Sequence, residues 1–96
     1  MTADGLGRLS SFGAMPPPAF ERRVVAVAPG GVLAYEEEAW RDALVVVERG
    51  ELELESNGGV RRRFRGGDML WLAGLSLRAL HNPGLVPLLL VAVSRR

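Results

Sequence analysis

The chain of 96 residues contains no cysteine, which excludes disulfides and every thiolate zinc site. It contains a single histidine, His81. A charge excess is missing as well: 12 basic against 11 acidic side chains leave a net charge of +1. No global field therefore draws the chain to nucleic acid or to an anionic membrane. Long apolar runs are absent, since the longest, "LVPLLLVAV", carries Pro87 and is too short to span a bilayer. The opening "MTADGLGRLSSFGAMPPPAF" has neither a basic n-region nor an unbroken apolar core, so it does not read as a secretory signal. No nucleophile–base pair, phosphate-cradling glycine loop or zinc spacing is present. These absences predict a cytoplasmic domain with no nucleic-acid or membrane partner.

What is present is an ordinary globular balance, 48% apolar and 24% charged, at a length that fits one domain. Residues 1–19 are rich in Gly, Ser, Ala and Pro, and "MPPPA" favours an extended polyproline path. They are expected to form a flexible arm ahead of a domain over 20–96. From Phe20 the pattern is one of strands: "RRVVAVA", "DALVVVE", "ELELE", "VRRRFR", "MLWLA", "LSLRAL" and "LVPLLLVAVS", separated by "PGG", "SNGG", "GGD" and "HNPG". About eight short strands at this spacing, with no convincing helix, predict an all-β sandwich or barrel. In "ELELE" the leucines share one face and the glutamates the other. Arg61, Arg63 and Arg65 should face those glutamates across a hairpin. Several strands are apolar on both faces, which suits two packed sheets or a surface covered by a second subunit. A homodimer is the expected state.

In "YEEEAWRDALVVVERG" two glutamates, Glu36 and Glu38, stand at alternate positions ahead of a buried strand, and alternate strand residues share a face. Their spacing from Gly30 and Gly50 matches a known frame. The first cupin motif runs G-x5-H-x-H-x4-E-x6-G; Gly30 and Gly50 fall on its glycines, while Glu36, Glu38 and Ala43 stand in place of His, His and Glu. The second runs G-x5-P-x-G-x2-H-x3-N; Gly67 and Asn82 match its ends, while Ala73, Leu75 and Arg78 replace Pro, Gly and His. The chain from Phe20 onward thus resembles the cupin family. The resemblance implies a small β-barrel, a double-stranded β-helix of two packed antiparallel sheets, in which all four metal-ligand positions have changed.

In cupins these positions converge inside the barrel. The resemblance therefore implies two carboxylates, Glu36 and Glu38, lining a barrel mouth and paired with the Arg78 guanidinium, which needs no metal to neutralise them. No metal and no cofactor are expected. The competing reading makes Glu36, Glu37 and Glu38 a solvated acidic loop. His81, three residues beyond Arg78, faces away from the site and is expected to cap the turn at Asn82–Gly84. Tyr35 and Trp40 are the aromatic candidates for the pocket, and Trp71 reads as core.

Three functions follow. The first is a metal-independent barrel that binds a small organic ligand, anionic ones included, through Glu36, Glu38, Arg78, Tyr35 and Trp40. The second is an isomerase, cyclase or lyase in which Glu36 or Glu38 is the acid/base and Arg78 stabilises developing charge. The third is a structural or interaction protein whose barrel is filled by its own side chains.

Overall fold

The computed structural model describes residues 19–95, and the arm expected over 1–19 lies, but for Ala19, outside the described residues. Eight strands and one helical turn follow in order: β1 (Phe20–Val27), β2 (Val32–Ala34), α1 (Glu37–Trp40), β3 (Ala43–Arg49), β4 (Glu51–Ser56), β5 (Arg61–Arg65), β6 (Met69–Trp71), β7 (Leu77–His81) and β8 (Leu88–Arg95). They form two four-stranded sheets, ordered β1-β8-β3-β6 and β2-β7-β4-β5, with every pairing antiparallel. The expected all-β barrel of two packed antiparallel sheets is therefore what forms.

The pleat explains the core. Val25, Leu90 and Val47 stand side by side across the first sheet, and Leu33, Leu80 and Leu54 across the second. These two rows face inward and are joined there by Val27, Val45, Leu52, Leu72, Leu77, Leu88 and Ala92. Leu52, Leu72, Leu80, Leu88, Leu90, Val45 and Val47 are fully buried. The interior is thus lined by buried aliphatic side chains.

The outer faces differ from one another. On β4 and β5 the register places Glu51, Glu53 and Glu55 opposite Arg65, Arg63 and Arg61, the cross-strand arrangement that the alternation of "ELELE" predicts. The other sheet exposes Val24, Met69 and Trp71 on its outer face, together with Arg22, Arg49 and Arg95.

The motif glycines mark the turns. Gly30, Gly50 and Gly67 all have positive φ, at 76°, 89° and 97°, where a side chain is strained. Gly50 is the tightest: a Cβ there would stand 2.6 Å from the Pro87 carbonyl oxygen.

Candidate functional site

The segment expected to carry Glu36 and Glu38 on one strand face is a helical turn instead. Glu36 is its N-cap, in extended conformation with φ −126° and ψ 113°. The Ala39 N–H donates to the Glu36 carbonyl and the Arg41 N–H to the Glu37 carbonyl. Glu37 and Glu38 in the first turn suit the positive end of the helix, and Trp40, 3% exposed, anchors it in the core. With helical rather than two-residue periodicity, Glu36 and Glu38 do not share a face, and both are exposed.

Arg78 is also placed differently. Along the β4–β7 pairing Glu55 opposes Ala79 and Ser56 opposes Leu77, so the register shifts and Arg78 is the extra residue of a β-bulge. A bulge re-aims the side chain it carries. Leu77 joins the core, while the Arg78 side chain is 56% exposed and meets Glu55 at 3.3 Å. Its Nη2 donates to the Asn57 carbonyl at 2.7 Å. The expected pairing of Arg78 with Glu36 and Glu38 inside a barrel mouth is therefore not formed. Ala43, at the third family position, is buried in the core.

These four positions do not fit a divalent metal. Two are exposed carboxylates on a helical turn, one has no donor atom, and one is a cation turned to the outer face. Among the described residues no group of three or more His, Cys, Asp or Glu side chains is placed to hold a metal ion.

His81 does not cap the turn after β7. Its Nε2 lies 2.8 Å from Glu55 Oε1 on the outer face. Asn82 does the capping: its Nδ2 donates to the carbonyls of Val27 and Val86, and its Oδ1 accepts from the Gly84 N–H. The glutamates of β4 carry most of the surface electrostatics. Arg61, then Arg63, holds the Glu53 carboxyl below its usual range. The hydrogen bond with His81, aided by the charges of Arg61 and Arg78, does the same for Glu55.

A cleft remains at the seam where the edge strands β1 and β2 approach α1. Val25, Leu33, Ala34, Ala39 and Trp40 line it with Arg23 and Glu36, forming a groove of about 330 Å³ that is open to solvent. Arg23 spans it: the guanidinium lies 4.8 Å from the Trp40 ring centre and its Nη2 donates to the Ala39 carbonyl at 2.7 Å. Such stacking holds the cation in place while leaving further N–H donors free. Tyr35 borders this region and donates its hydroxyl to Glu37 at 2.8 Å. Burial first, then that hydrogen bond to an anion, pushes its pKa up to about 12. Of the five residues expected at the site, Glu36 and Trp40 thus line one cleft, Tyr35 and Glu38 belong to the same loop and turn, and Arg78 lies elsewhere. Arg23 was not singled out. The signal for it is parity: Arg23, Val25 and Val27 alternate on one face of β1, so a charge there points inward.

Comparison with known proteins places this geometry. A cupin 2 conserved barrel domain protein from Salinispora arenicola is 30% identical, covering 85% of this chain and 71% of its own, at a TM-score of 0.66. A cupin 2 domain-containing protein from Halorhodospira halophila is 26% identical over 85% of this chain and 57% of its own, at 0.62. A sugar phosphate isomerase of the cupin superfamily from Silicibacter pomeroyi is 26% identical over 88% of this chain, which spans 55% of that protein, at 0.62. No protein-family model and no curated protein matches the chain.

Proposed function

This chain belongs to the cupin family, and from that premise we propose that it is a metal-independent module that binds a small organic ligand in the cleft between β1, β2 and α1. The observation that carries this reading is the cleft itself. Its walls are aliphatic and aromatic, with one fixed cation, Arg23, and one anion, Glu36. A pocket of a few hundred Å³ with mostly apolar walls and few, well-placed polar groups is the usual form of a small-molecule site. Arg23 suits a carboxylate or another oxyanion on the ligand, and the partly exposed Val25, Leu33 and Ala39 suit its apolar body. The aliphatic interior supports a ligand at the seam over one in the barrel. Glu36 is exposed at the rim of this cleft and Glu38 does not line it, so neither carboxylate has the burial that supports the acid/base enzyme reading.

The test is a titration of the ¹⁵N-labelled protein with small carboxylates, including zwitterionic amino acids. Saturable shifts are expected at Val25, Leu33, Ala39 and the Trp40 indole, with quenching of Trp40 fluorescence. Arg23→Met should abolish them and Arg78→Met should leave them intact. Binding that survives Arg23→Met, or shifts confined to other strands, would sink the assignment of this cleft.

A further inference from the structure

Two opposite charges border the seam cleft without meeting. Arg23 and Glu36 both line it, yet neither a hydrogen bond nor a salt bridge joins them, and the Glu36 carboxylate has no partner among the described residues. The backbone and its neighbours keep the two apart. Arg23 is held by its stack on Trp40 and by its bond to the Ala39 carbonyl. Glu36 is held through its main chain, whose carbonyl accepts from the Ala39 N–H while the side chain makes no cap. Much of the remaining wall is Val25, Leu33 and Ala39, which are half-buried and packed on the core.

A ligand with one charge is at odds with this wall. A plain carboxylate drawn to Arg23 is repelled by Glu36, and a plain amine drawn to Glu36 is repelled by Arg23; like charges set side by side cost affinity. A neutral apolar molecule strips water from both charges and offers neither a partner. A molecule that carries both charges answers both. We propose that the ligand of this cleft is a small zwitterion, an amino acid with an apolar side chain. Its carboxylate lies on Arg23, its ammonium on Glu36, and its side chain against Val25, Leu33 and Ala39. This rests on the cleft being the binding site, and it makes Glu36 the residue that selects for the ammonium group. The donor count agrees. A guanidinium has five N–H donors, and the Ala39 carbonyl engages one Nη2 proton, so a carboxylate can still be taken up by two of the others. Both charged groups are exposed, so the ammonium contributes as an exposed ion pair does, a factor of up to about five. The outcome is selectivity, a difference between related ligands, more than tight binding.

The test compares probes that share one branched apolar chain: leucine, isocaproate, which lacks the ammonium, and isoamylamine, which lacks the carboxylate. Each is titrated near neutral pH into the ¹⁵N-labelled protein. Wild type should bind leucine roughly two- to fivefold more tightly than isocaproate, and more tightly than isoamylamine. Glu36→Gln should weaken leucine by that factor and leave isocaproate no weaker, which erases the preference. Glu38→Gln removes an exposed carboxylate of the same turn that does not line the cleft, and should keep it. The preference is a ratio measured on one variant at a time, so a general loosening of the fold does not imitate its loss. Equal affinity for leucine and isocaproate in wild type, or a preference that survives Glu36→Gln, would overturn the zwitterion and leave the cleft as an oxyanion site. A preference lost equally in Glu38→Gln would overturn the selective role of Glu36. No saturable shift at Val25, Leu33 or Ala39 with any of the probes would instead sink the cleft itself, and this inference with it.

Discussion

Asn82, a residue of the second motif, acts here on the backbone. It is 1% exposed, and its amide satisfies three backbone groups: the carbonyls of Val27 at the end of β1 and of Val86 before β8, and the N–H of Gly84 between them. Buried carbonyls left without a donor are costly. Asn82→Ala strips both at once and is expected to lower stability by roughly 2–4 kcal/mol, read by chemical denaturation. Arg78→Leu is its contrast. That side chain lies on the surface, where ion pairs contribute little, so the variant should melt with the wild type. The spacing of the second motif selects both residues from sequence, but it does not distinguish a backbone clamp from a site residue. Only the position of Asn82 inside the turn does so.

At the scale of elements, β4 and β5 were fully legible. Strict alternation fixes which side chains share a face, and the Asn57–Gly58 signal fixes the hairpin, so the Glu–Arg ladder follows from pattern alone. The ladder also makes a pH prediction. Glu53 and Glu55 hold their protons less tightly folded than unfolded, so in acid the unfolded state takes up more protons. The stability they contribute is present above the ordinary glutamate pKa of about 4.3 and is lost as pH falls through their lowered folded values. Denaturation midpoints should therefore drop below about pH 4.3, and should drop less in Glu53→Gln/Glu55→Gln. An equal acid slope in that variant would remove the ladder from the account. Other elements were not legible, for local reasons. The three residues of β2 are too few to show a period. In "MLWLA" both parities are apolar, so nothing in the sequence says that Leu70 and Leu72 point inward while Met69 and Trp71 point out. The helical turn and the bulge at Arg78 each shift the two-residue period by a step that no alternation records, and the site read from period alone moved with them.

Across the whole molecule, these two shifts together separate the four family ligand positions. Cupin metal centres need ligands converging on one interior point, and here the interior is lined by buried leucine and valine. Glu36 and Glu38 ride on a turn at the seam, and Arg78 faces the outer side of the other sheet. Restoring the family residues should therefore not restore the centre. Glu36→His/Glu38→His places two imidazoles on exposed positions, where Zn²⁺ or Ni²⁺ finds at most a weak two-ligand site. A third converging ligand would raise affinity steeply, because structural and catalytic sites use three or four protein ligands. If the four positions are apart, adding Arg78→His changes nothing: calorimetric titration should give the triple variant the affinity of the double one, with both folded as wild type. Adding Ala43→Glu should be harmful, since it places an unpaired carboxylate in the core, a loss of roughly 3–5 kcal/mol. A triple variant that binds Zn²⁺ far more tightly than the double one would mean that the bulge at Arg78 and the turn at Glu37 relax toward the barrel axis. The separation would then belong to these side chains rather than to the backbone. Equal affinities locate it in the backbone, where replacing side chains alone cannot reverse it.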